Sequence, residues 1–114
     1  MIAVIFEFTP AEGRAQDYTA LAQGLGEELA RADGFISIER FESMSTPGKR
    51  VSLSFWRDEA AVRAWRNVEM HRAAQAEGRG GVFSSYRLRV AQVMRDYTHE
   101  ARAEAPADSV AAHG

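Results

Sequence analysis

The sequence contains no cysteine, only three prolines and three histidines, and a single lysine, Lys49, among its 114 residues. Each scarcity removes a class of chemistry. Without cysteine there is no disulfide, no thiolate metal site and no thiol nucleophile, a composition that fits a reducing compartment. His99 and His113 lie close to the C-terminal end. His71 is therefore the one imidazole in the body of the chain, which argues against a multi-histidine or structural zinc centre. No apolar run approaches the roughly 20 residues needed to cross a bilayer, and Met1 to Glu7 lack the basic start of a secretion signal. A cytoplasmic protein without membrane association is the expectation.

Acidic side chains number 16 and basic ones 14. From Thr98 onward Glu100, Glu104 and Asp108 face Arg102 alone, so residues 1–97 are neutral and the C-terminal stretch supplies the whole net charge of −2. That balance argues against nucleic-acid binding. One folded domain over residues 1–97 is expected, followed by a mobile tail over residues 98–114 that is poor in large apolar side chains.

The folded part reads as alternating strands and helices. Ile2, Val4, Phe6 and Phe8 alternate with Ala3, Ile5 and Glu7, the pattern of a strand with one strongly apolar face. Thr9-Pro10-Ala11-Glu12 reads as the start of a helix, with Thr9 as cap and Glu12 closing a capping box. Tyr18, Leu21, Ala22, Leu25 and Leu29 continue at helical spacing. Gly24 and Gly26 lower helix propensity and suggest a close approach of this helix to the sheet or to a ligand. Residues 35–42 and 50–56 form a strand pair around the turn Ser45-Thr46-Pro47-Gly48. Asp58 caps a second helix through Ala61, Val62 and Trp65, with a further helical stretch to about Glu77. Ser84 to Arg95 reads as the last strand.

The order β-α-β-β-α-β predicts an α+β, ferredoxin-like fold with a four-stranded antiparallel sheet covered by helices on one face. The other face should carry Ala3, Ile5, Ala91 and Val93, together with Ile36 and Ile38 or with Phe35 and Phe41. Such a face is too apolar to remain in water, which predicts a homodimer packed through the sheet faces.

No P-loop, G-x-G-x-x-G, G-x-S-x-G or H-E-x-x-H motif is present. The chemistry-bearing concentration runs from Trp56 to Tyr86. Trp65 could stack on a small aromatic ligand while Asn67, His71 and Tyr86 hydrogen-bond its oxygens, with Trp56 and Phe83 completing the site. An unperturbed imidazole titrates near neutrality, which makes His71 the natural base or proton shuttle. The competing reading makes Trp65 and Phe83 core residues, Asn67 a cap on a helix turn and His71 a partly exposed side chain.

Ser54-Phe55-Trp56-Arg57-Asp58-Glu59-Ala60-Ala61-Val62-Arg63-Ala64-Trp65, with an aromatic-Trp strand end, an acidic cap and a second Trp nine residues on, resembles the antibiotic-biosynthesis monooxygenase (ABM) domain family. Tyr86-Arg87-Leu88-Arg89-Val90 and Arg95-Asp96-Tyr97 are similar to the remainder of that domain. The resemblance implies a dimeric α/β barrel and, for some members, cofactor-independent oxidation of phenols to quinones by dioxygen. For such a reaction His71 as base, Trp65 as stacking wall, Asn67 and Tyr86 as hydrogen-bond partners and Arg87 as anion stabiliser would suffice, with no cofactor or metal, although Arg87 alternates with Tyr86 and could instead face the dimer interface. Other members degrade haem, and His71 as an axial ligand is the corresponding alternative here. A ligand-binding dimer without catalysis is the remaining one.

Overall fold

The computed structural model describes the backbone of residues 1–77 and 81–114 and the side chains of residues 1–68 and 81–114. Strands β1 (Ile2–Pro10), β2 (Phe35–Glu42), β3 (Arg50–Trp56) and β4 (Phe83–Gln92) form one sheet in the order β2-β3-β1-β4. All three pairings are antiparallel. Helix α1 (Ala15–Ala30) joins β1 to β2, α2 (Glu59–Glu77) joins β3 to β4, and a short α3 (Ala107–His113) follows. The split β-α-β-β-α-β fold expected from the sequence is the one observed.

Several boundaries differ from expectation, each for a local reason. Thr9 and Pro10 extend β1 instead of opening a helix. Thr9 is opposite Ser85 and Pro10 opposite Phe83, and Ala11 donates to the Val82 carbonyl at 2.7 Å. Pairing with β3 has already ended at Phe8, so Pro10 costs the sheet no hydrogen bond on that side. Gly13, at φ 75°, turns the chain, and α1 begins at Ala15 without a side-chain cap. β4 ends at Gln92, short of the expected Arg95, while α2 runs unbroken over 19 residues. The expected tail contains α3, and Arg102 ties it together by donating to the Gly114 carbonyl at 2.8 Å and to the Ser109 hydroxyl at 3.0 Å.

Register assigns the two faces. Ile2, Val4, Phe6 and Phe8 share the helix-covered face with Ser52, Ser54 and Trp56 of β3 and with Tyr86, Leu88 and Val90 of β4. The opposite face carries Ala3, Ile5 and Glu7, flanked by Val51, Leu53 and Phe55 and by Arg87, Arg89 and Ala91. The register of β2 shifts between Phe35 and Ser37, and this one extra residue places both Phe35 and Ile38 against the core under the helices. Ile38 therefore does not belong to the bare face, which receives Phe41, opposite Val51.

Two small cores hold the helices down. Leu29 of α1, Trp56 of β3 and Ala61 and Val62 of α2 make the first, with Phe35 and Trp65 against it. Phe8, Tyr18 and Val82 make the second, with Phe6 and Phe83 beside them. Arg57, between β3 and α2, donates to Asp33 at 3.0 Å and to Asp58 at 2.8 Å, and its backbone N–H donates to the Gly34 carbonyl at 2.7 Å. These bonds fix the α1–β2 turn against the start of α2. Asp58 also caps that helix by accepting from the Ala61 N–H at 2.9 Å.

Candidate functional site

A cleft opens between the helix-covered face of the sheet and α2. Its floor is Val4 and Phe6 of β1, Ile38 of β2, Ser52, Ser54 and Trp56 of β3, and Leu88 and Val90 of β4; Val62, Trp65 and Arg66 of α2 form its roof. The three roof residues are spaced i, i+3 and i+4, which puts them on one side of the helix. The floor is apolar except for the two serines, which share a face with Trp56 because strand side chains alternate.

Depth separates polar groups from charge. Trp56 is 1% exposed and Ser54 7%, and the Trp56 indole N–H donates to the Ser54 hydroxyl at 2.9 Å. Ser54 thus has its acceptor side engaged and retains an O–H able to donate. Trp65 is half-buried, its ring 6.1 Å from that of Trp56, and Arg66 is exposed at the mouth. The enclosed space is about 60 Å³, whereas small-molecule pockets commonly reach roughly 300–1,000 Å³. In this shape it accepts the edge of a ring rather than a whole ligand.

The structure brings Trp65 and Trp56 together at the cleft. Asn67 is exposed and does not line it, since residues two apart on a helix point to different sides. Phe83 packs instead with Phe6, Phe8 and Tyr18, at ring distances of 5.4, 5.3 and 5.8 Å. Tyr86 is on the cleft's face of the sheet but 69% exposed, its ring 5.8 Å from that of Phe6. The side chain of His71 lies outside the described residues.

Arg87 cannot stabilise an anion in this cleft. It is opposite Glu7 on the bare face, because it alternates with Tyr86 along β4. There the Lys49 ammonium, 3.2 Å from Glu7, holds that carboxyl below the usual carboxylate range, with Arg89 at 3.3 Å. The arginine of the cleft is Arg66. Sequence reasoning passed over it, with Ser52 and Ser54, although the helical spacing from Val62 and the alternation with Trp56 carried the signal. Among the described residues no cluster of three or more His, Asp or Glu could hold a metal ion, and no helix is long and apolar enough to cross a membrane.

The family model described as antibiotic biosynthesis monooxygenase matches residues 1–77. The chain belongs to the ABM family. Among curated relatives of this ABM chain, the jasmonate monooxygenase ABM of Pyricularia oryzae is 48% identical over 93 residues. That match takes in 82% of this chain and 43% of the fungal protein, so the chain spans less than half of that relative's length. Among solved structures, a variant of SnoaB, a cofactor-independent oxygenase from Streptomyces nogalater, superposes with TM-score 0.67 at 13% identity, covering 83% of this chain and 94% of that one. A variant of MhuD with two manganese protoporphyrin IX molecules bound per active site gives 0.65 at 15% identity, covering 86% and 99%. At these identities the two structures share the fold with this chain.

Proposed function

We propose that this ABM chain is a monooxygenase that uses dioxygen to oxidise a small ring compound held in the cleft beneath α2, with no resident metal or flavin. The observation that carries this reading is the cleft itself: a tryptophan wall at the mouth, an apolar floor and a buried serine hydroxyl on one surface. The name of the fungal relative and the fold shared with SnoaB support it.

The chemistry is driven by the substrate. A phenol that has lost its proton passes an electron to dioxygen, and the two recombine at a ring carbon that bears hydrogen. The resulting hydroperoxide loses water together with that hydrogen and leaves a quinone. One oxygen atom becomes the new carbonyl and the other leaves in water, so no external reductant is required. The protein then has three tasks: to hold the ring, to stabilise the anion and to exclude bulk water. Trp65 stacks on the ring, Ser54 donates toward its oxygen and His71 accepts the phenolic proton. For a whole ring to enter, the Trp65 side chain has to swing outward.

Two copies pack through the bare sheet faces in this proposal, covering Ile5, Leu53, Phe55 and Phe41. The alternative is haem binding through His71. The fold shared with MhuD supports it, but the described cleft is smaller than a porphyrin, and β1 offers Phe6, Glu7 and Phe8 where haem-degrading members carry an asparagine.

The test is oxygen uptake with a panel of phenols and hydroquinones. Turnover is expected in the absence of added metal or flavin, with kcat/KM at least tenfold lower in Trp65→Phe and in His71→Ala. If no compound consumes oxygen, the monooxygenase reading fails. A Soret shift on haem titration that disappears in His71→Ala would put haem in its place.

A further inference from the structure

We infer that Arg66 is the carboxylate anchor of the cleft, and that the compounds this chain takes are ring-bodied organic acids that enter ring first. The inference rests on the cleft being the ligand site proposed above.

Three observations converge on it. Arg66 is the one charged residue that lines the cleft among the described residues. Its guanidinium has no carboxylate within ion-pair distance among them, as holds for several other arginines of the chain, and so can take one from a ligand. Its position is also graded against the other polar groups: Arg66 is exposed at the mouth, Trp65 is half-buried beside it, and Ser54 is buried behind.

A ligand that satisfies all three has a permanent anion at one end and an apolar ring at the other, with an oxygen on the ring that can accept from Ser54. A planar guanidinium matches a carboxylate with two parallel N–H donors, which a lysine ammonium at this position would not do. The anion held at the mouth is then distinct from the oxygen that reacts at depth. Substrate charge therefore sets recognition without entering the reaction.

The experiment is isothermal titration calorimetry of the full chain with jasmonate and with methyl jasmonate, which share one body and differ in the charge. Wild type, Arg66→Gln and Arg66→Lys are compared at neutral pH and low ionic strength. Wild type should bind the acid about tenfold or more tightly than the ester. Arg66→Gln should lose that preference and leave ester affinity unchanged, and Arg66→Lys should recover part of it. Equal weakening of acid and ester in Arg66→Gln would mean that the residue only supports the cleft wall, and would overturn the inference. So would an unchanged preference in Arg66→Gln, or no binding of either compound. Binding needs no turnover, so a catalytically silent protein that shows the expected acid preference would defeat the monooxygenase reading and leave the anchor standing.

Discussion

Gly34 shows how tightly single residues are constrained where α1, β2 and α2 meet. It holds φ 81°, a conformation that favours glycine, and a Cβ there would lie 2.6 Å from that of Ala61. Gly34→Ala combines backbone strain with overpacking and should cost about 2 kcal/mol or more, measured by urea denaturation. Trp56 is constrained from the inside. It is buried in the first core and gives its indole proton to Ser54. Trp56→Ala should destabilise by roughly 3–5 kcal/mol, whereas Trp65→Ala, at the half-buried mouth, should cost clearly less while removing ligand binding. At this scale the sequence was partly legible. The two tryptophans and the Asp58 cap stood out by residue type and spacing. Arg66 did not, although its place four residues after Val62 already set it on the apolar side of α2.

At the scale of elements, alternation and caps were enough to order the strands and helices, and they failed where two local signals competed. The segment Thr9-Pro10-Ala11-Glu12 has the composition of a helix start, but pairing with β4 claims Thr9 and Pro10 for the sheet. In β2 both alternating sets are apolar in part, so nothing in the pattern announced the shift after Phe35 that turns Ile38 toward the helices. The glycines of α1 were also misread. Gly24 and Gly26 are exposed, and a Cβ at either would meet no described atom within 4 Å, so they permit no close approach. Gly24→Ala and Gly26→Ala should each stabilise the protein by about 1 kcal/mol, seen as a higher urea midpoint with an unchanged slope.

The whole molecule has one covered sheet face and one bare face, and its acid response should follow from the ion pairs on and around them. Lys49 holds the Glu7 carboxyl below its usual range, and Arg57 does the same for Asp33 and Asp58. The folded state thus binds fewer protons than the unfolded one in acid. Their stabilisation is fully present above about pH 5 and is lost as the pH falls through about 4 and below. Tm measured from pH 7 to pH 3 should be flat and then decline, and Arg57→Gln, which removes the partner of both aspartates, should make the decline shallower. The apolar part of the bare face, with Ile5, Leu53 and Phe55, makes a second prediction: sedimentation at micromolar concentration should show a dimer, and Leu53→Glu should shift it toward monomer. A monomeric wild type would contradict the proposed assembly.

The pairing of Trp56 with Trp65 across the cleft has an optical consequence. The chain has two tryptophans, and both border this one space with their rings 6.1 Å apart. Emission excited at the red edge of indole absorption therefore originates wholly at the cleft wall, with no background from elsewhere in the fold. Trp56 emits from a dry site and Trp65 from a half-wet one, and at this separation excitation passes readily between them. Water entry, ring stacking or a swing of Trp65 would each change the colour or intensity of that light, so the unlabelled protein carries its own reporter of whether the cleft is open, closed or filled.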